Sequence, residues 1–377
     1  MKQTCMNEKE AGITLLALGI TIIILLILAG ITISAITGED GIIGNAGQAK
    51  EETEIANEKE IVEKATVQAM GNNKYGNIEE DELQEQLDKE TGEGETKVII
   101  IRKKYVVQFV DSERMYHVDN NGNVFEYVYT DLPIMESGND FNNRMADYKK
   151  SILTVTVLDN MEMPENIYQI FDVSKEQNET VKAWLVENPE NINMYDLYIG
   201  GKDGVEIESC QGMFQEFSEC TSINIENLYT EKVKDFSNMF NGNSKLIEII
   251  APNLVNSKAK NLMYMFYMCT KLKSIDTRNW DTSNVTNMFG TFRMCQSIES
   301  LDLSNWNTSN VTATDYLFQY CQKLKTIYVS DKWNNDKVSS SGNMFQGCLS
   351  LKGAIDFDST KITLIYANDI TGYFTLK

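Results

Sequence analysis

Apolar residues fall three apart along Phe266, Cys269, Leu272 and Ile275, and nearly the same phrase returns about every 26 residues. Aligning the chain on itself puts Phe217, Phe240, Phe266, Phe292, Phe318 and Phe345 in one column, at intervals of 23, 26, 26, 26 and 27 residues. Cys220, Asn243, Cys269, Cys295, Cys321 and Cys348 follow three positions later, then a Leu/Ile column from Leu246 to Leu351 and another from Ile223 to Ile327. A unit of this size cannot bury its own apolar side chains, so neighbouring units must stack around a shared core. Strands near Ser274–Thr277, Ser300–Leu303 and Thr326–Val329 are predicted to pair in parallel at ~4.8 Å per coil. "NWDTSNVT" and "NWNTSNVT" supply turns whose polar side chains bond nearby backbone.

The cysteines read best as buried thiols, small enough for a tight corner and able to donate weakly to a carbonyl. Phe266, Phe292, Phe318, Cys269, Cys295, Cys321 and Cys348 form the expected core ladder. Disulfides and metal ligation are the alternatives. Seven cysteines with no C-x-x-C pair argue against both, and Asn243 in the same column points to a position that satisfies backbone.

Upstream, the pattern changes three times. Ile13 to Ile36 holds nine isoleucines and six leucines with no charge, which predicts a transmembrane helix over 13–37. After a glycine-rich break at Gly38 to Gly47, Ala46 to Ala69 reads as a helix with Ile55, Val62, Ala65 and Ala69 on one stripe. Residues 78–95 carry nine acids against Lys89 and read as solvated helix or loop, and Lys97 to Val128 alternates as an antiparallel meander turning at Asn121-Gly122.

Composition narrows the chemistry. With 34 basic and 55 acidic residues the chain carries −21, which repels phosphate backbones and makes nucleic acid an unsuitable partner. His117 is the single histidine and lies in a predicted strand. There is no paired-carboxylate, nucleophile or phosphate-loop signature, so neither an enzyme nor a bound cofactor or metal is expected.

The stretch "KEAGITLLALGITIIILLILAG" and the helix after it resemble the prepilin-type N-terminus of type IV pilin-like proteins of Gram-positive bacteria. That resemblance implies a leader over 1–12, cleavage between Gly12 and Ile13, and a pilin-like helix and meander over 46–130. Polymerising members usually carry Glu where Ala17 stands, which favours an anchor over a filament subunit.

The phrase F-x-x-C-x-x-L-x-x-[IL]-D-[LT]-x-N-W-[DN]-T-S-N-V-T resembles the BspA-like leucine-rich repeats of bacterial surface proteins. It implies a linker over 131–150, an N-terminal cap over 151–211, a solenoid of about six coils over 212–357 and a C-terminal cap over 358–377. The expected class is α+β: a transmembrane helix, a pilin-like helix with a small antiparallel sheet, then a parallel-strand solenoid. The implied role is a membrane-anchored, adhesin-like surface protein, held by its N-terminal helix with its C-terminal region extracellular, that binds a host or neighbouring-cell protein or glycan. The alternative is a minor pilin-like subunit partnered by other pilins. The expected ligand face is the outward strand row Asn224, Ile250, Asp276, Asp302 and Tyr328.

Overall fold

A computed structural model describes residues 42–73, 77–101, 104–127, 131–252 and 254–377, with side chains from residue 48 onward. The chain divides into two units, Met1–Thr130 and Asp131–Lys377. The expected leader site at Gly12 and Ile13 and the segment 13–37 lie outside the described residues. Among the described residues no helix is long and apolar enough to cross a membrane.

In the first unit, α1 (Ile42–Asn72) continues through Gly44 and Gly47, where a break was expected. Its Val62, Ala65 and Ala69 pack against Leu83 and Leu87 of α2 (Glu80–Thr91) and against a sheet. That sheet is an antiparallel meander of β1 (Thr96–Ile101), β2 (Lys104–Phe109), β3 (Met115–Val118) and β4 (Val124–Glu126). The acidic stretch thus folds as a helix because two leucines four apart give it an apolar stripe. Arg114 forks onto Glu58 at 2.8 and 3.0 Å, and the buried Tyr116 hydroxyl donates to the same carboxylate at 2.9 Å. His117 stacks on Phe125, with ring centroids 5.7 Å apart.

The second unit opens with α3 (Gly138–Arg144), capped by Ser137, whose Oγ accepts from the Asp140 N–H. The expected linker 131–150 is folded in, with Met135, Phe141 and Met145 buried in the main core. The strands are β5 (Ile152–Leu158), β6 (Ile167–Asp172), β7 (Val181–Glu187), β8 (Tyr195–Gly201), β9 (Val205–Glu206), β10 (Ser222–Asn224), β11 (Leu228–Tyr229), β12 (Glu248–Ile250), β13 (Ser300–Asp302), β14 (Thr326–Val329) and β15 (Phe374–Leu376). Six of them form a mixed sheet in the order β12-β10-β5-β8-β7-β6, parallel from β12 to β8 and antiparallel from β8 to β6. β9 pairs with β11, and β13, β14 and β15 form a separate sheet.

The expected class is therefore corrected. Among the described residues helices are few, the sheets are mixed or antiparallel as well as parallel, and one parallel sheet through every coil does not form. Ser274–Thr277 carries no strand. The reason is local: one level on, the Leu303 N–H meets the Tyr328 carbonyl, whereas here the Thr277 hydroxyl takes the Asp302 carbonyl at 2.7 Å, so a side chain occupies an acceptor that a ladder would use.

Successive units nonetheless rest on each other. Phe214, Phe240, Phe266, Phe292, Phe318 and Phe345 stack in sequence with centroids 5.4 to 5.9 Å apart. Each is fully buried, and burial of a ring this size is worth about 2 kcal/mol. The thiols of Cys269, Cys295, Cys321 and Cys348 donate to the carbonyls of Phe240, Phe266, Phe292 and Phe318 at 3.1, 3.2, 3.0 and 2.9 Å. Burial pushes the Cys348 thiol up to about 12, so it stays protonated and able to donate.

Two positions differ from the expected register. The first member of the aromatic column is Phe214, 26 residues before Phe240, and Phe217 stands where the later units carry Asn or Cys. Cys220 then falls in the Leu/Ile column, where its thiol donates to the Ser222 carbonyl at 3.3 Å. Asn243 is buried, yet neither amide atom has a hydrogen-bond partner, so it does not satisfy the backbone as its thiol neighbours do.

Candidate functional site

The strand-side residues separate into two groups. Asn224 and Ile250 are neighbours on β10 and β12, and their row continues to Thr156 on β5 and Tyr198 on β8. Asp302 and Tyr328 are neighbours on β13 and β14, with Thr375 on β15 beside them. Asp276 lies between the groups on irregular chain. The fork of Arg278 holds it at 2.9 and 2.7 Å and lowers its carboxyl to about 2. Burial pushes the Asp302 carboxyl up, but hydrogen bonds from Lys377 and Ser304 outweigh it and hold the group below its ordinary value. Lys377 also lies over the Tyr328 ring, 5.5 Å from its centroid. Asp276, Asp302 and Tyr328 are thus engaged within the chain, and the five do not form one continuous face.

A different cluster emerges at the F-x-x-C bends. The N–H groups of Leu262, Tyr264, Phe266 and Met268 reach the next unit at Asn287, Phe289, Thr291 and Arg293 carbonyls, at 2.9, 2.9, 2.9 and 3.0 Å. Pointing alternate N–H groups the same way requires left-handed residues two before and two after the phenylalanine. They are Gly212, Asn238, Tyr264, Gly290, Tyr316 and Asn343 on one side, and Glu216, Gly242, Met268, Met294, Tyr320 and Gly347 on the other. Glycine and asparagine suit these positions because they tolerate a positive φ. Tyr264, Met268, Met294, Tyr316 and Tyr320, at φ 55 to 63°, do not, and each carries a cost of about 1 kcal/mol.

These large side chains gather on a ledge. Tyr264 lies 5.2 Å from Phe289, and Phe289 lies 5.2 Å from Tyr316, both edge to face. Arg293 sits between two rings, its guanidinium carbon 5.2 Å from the Tyr267 centroid and 5.1 Å from that of Tyr316. Its Nε is buried without an acceptor, and next to it in the same column stands buried Gln319, whose Oε1 is also without a partner. Met268 and Tyr320 are more than a third exposed. The sequence does carry a signal for this ledge: columns that alternate Gly and Asn with Tyr and Met at fixed offsets from a buried Phe. The stronger periodicity of the Phe and Cys columns masks it.

Comparison with known proteins bears on the repeat region. Residues 208–273 and 251–358 match the family described as "Mycoplasma protein of unknown function, DUF285". That stretch holds both the stacked phenylalanines and the ledge. Among solved structures, a leucine rich cell surface protein from Faecalibacterium prausnitzii A2-165 matches over 65% of this chain and 53% of its own, at 14% identity and a TM-score of 0.27. The chain therefore spans about half the length of that protein, and so distant a likeness says nothing about ligand or partner. No protein of curated function matches the chain.

Proposed function

We propose that this chain is a cell-surface binding protein whose repeat region engages an extracellular partner along the ledge of Tyr264, Tyr267, Met268, Arg293, Tyr316 and Tyr320. The observation that carries this reading is the cost at the bends. Left-handed positions that glycine or asparagine would fill without strain hold tyrosine and methionine instead, and strain of this kind accumulates where a side chain has work beyond the fold. Met268 and Tyr320 present that apolar surface to solvent. Surface display rests on the resemblance of the 26-residue phrase to BspA-like repeats, and attachment through the apolar N-terminal segment belongs to the same reading. The partner would be a protein or glycan of a host or neighbouring cell.

The test uses asparagine, which is at home in this backbone. A triple variant of the full-length chain, Tyr264→Asn, Tyr316→Asn and Tyr320→Asn, relieves the backbone strain at these positions while stripping the ledge of its rings. On arrays of matrix proteins and glycans the wild type should bind and the variant should lose at least tenfold, as expected when two or three apolar contacts go. Equal binding by the two proteins would remove the ledge from consideration.

A further inference from the structure

Arg293 stands apart from the other described arginines. Arg114, Arg144 and Arg278 each fork onto a carboxylate, at Glu58, Glu136 and Asp276. The Arg293 side chain, in a protein with 55 acidic residues, makes neither an ion pair nor a hydrogen bond among the described residues and is held by two tyrosine faces alone. A guanidinium carries five donors in a planar fork matched to a carboxylate, and stacking between rings fixes its plane without using any of them. Such a side chain is oriented for an anion that the protein does not itself supply.

The surroundings restrict the anion. Residues 262–346 hold eight basic and seven acidic side chains, so this stretch is close to neutral although the whole chain is at −21. A polyanion such as nucleic acid or a heavily sulfated chain needs a row of cations, and here the Phe-plus-one column reads Asn241, Tyr267, Arg293, Gln319 and Gln346, with one cation. Around that cation are ring faces and edges at 5 Å spacing. Aromatic surface for C–H groups beside one fork for one carboxylate is the inventory of a site for an acidic sugar.

We propose that Arg293, clasped by Tyr267 and Tyr316, reads the carboxylate of a uronic or sialic acid, with the pyranose rings lying along the Tyr264–Phe289–Tyr316 ladder. This rests on the ledge being the binding surface. Charge-assisted hydrogen bonds to the fork should make the acid at least tenfold tighter than its neutral counterpart.

The experiment titrates the full-length chain with two pairs, sialyllactose against lactose and trigalacturonic acid against its methyl ester. One acidic member should bind, its uncharged mate should be about 10- to 100-fold weaker, and Arg293→Gln should erase the difference. Which pair responds identifies the source of the carboxylate. Arg293→Lys keeps the charge and loses the fork, so it should fall between wild type and Arg293→Gln. Because a variant could misfold, the wild type is also titrated with added salt, which should narrow the gap between acid and neutral sugar. The proposal is overturned if neither acid binds, if acid and neutral sugar bind alike, or if Arg293→Gln keeps the preference. Should acidic sugars fail while the asparagine triple variant still loses array binding, the acidic-sugar assignment falls and the surface-binding reading stands.

Discussion

The thiol of Cys321 donates to the carbonyl oxygen of Phe292, 29 residues earlier in the chain and 3.0 Å away. The same bond recurs at Cys269, Cys295 and Cys348, so each unit is tied to its predecessor beside the aromatic column. Cys321→Ala leaves that carbonyl without its donor and opens a small void. It should cost about 1–2 kcal/mol in denaturant unfolding. Tryptophan fluorescence will follow the transition cleanly, since all four tryptophans lie beyond residue 183. In native buffer the six described, buried thiols should resist alkylation until the protein unfolds. Rapid labelling of Cys321 in the folded protein would contradict its placement.

Asn243 offers the opposite experiment. Its buried amide lacks partners, at a position the later units fill with Cys. Asn243→Cys should stabilise the second unit by about 1–2 kcal/mol, because an unmet polar group is exchanged for one suited to the site. Thermal unfolding of wild type and variant side by side will decide it; a lower midpoint for the variant refutes the assignment.

Gly200 has no room for a side chain. A Cβ there would stand 2.3 Å from the Asn160 carbonyl oxygen and 2.8 Å from the Trp184 ring. Gly200→Ala should destabilise by about 3 kcal/mol, because a backbone oxygen cannot step aside as a flexible side chain can. Trp184 is fully buried, and a red shift of its emission should accompany the loss.

Glu58 links α1 to β3 and gives the first unit a pH dependence. Burial pushes its carboxyl up, but hydrogen bonds from Arg114, Ser112 and Tyr116 prevail and the group sits below its ordinary value. A carboxyl lowered on folding adds stability above its unfolded pKa and loses it as the pH falls through the folded value. Glu58→Gln should therefore be less stable than wild type at pH 7 and converge on it as the pH drops through the carboxylate range. Far-ultraviolet circular dichroism, weighted toward the 31-residue α1, is the readout. A gap that widens in acid would reverse the sign.

Sequence spacing makes the repeat visible because a 26-residue period is a local property. Phe266, Phe292 and Phe318 occupy one column on the page and one stack in space. The first repeat is harder, since Phe217-Ser-Glu-Cys220 mimics the F-x-x-C phrase while Phe214 takes the place in the stack. The order of the mixed sheet depends on pairings such as β5 with β10, about 70 residues apart, which alternation within a strand does not specify. The strand row fails at Asp276 because the Thr277 hydroxyl takes the Asp302 carbonyl that a ladder would use, and Arg278 neutralises the carboxylate. The bends are silent in the pattern because a left-handed φ at a tyrosine leaves no hydropathy signature.

The gap in the strand ladder at Ser274–Thr277 has a mechanical meaning. Under tension applied at the two ends of the repeat, load passes through whatever joins one unit to the next. At this level the strand side offers the Lys273 N–H to the Ile247 carbonyl, at 3.3 Å, and the Thr277 hydroxyl, while the bends keep their full set of N–H bonds. Rupture should begin there and swing open about the bends, dividing the array into two blocks that each retain their own sheet.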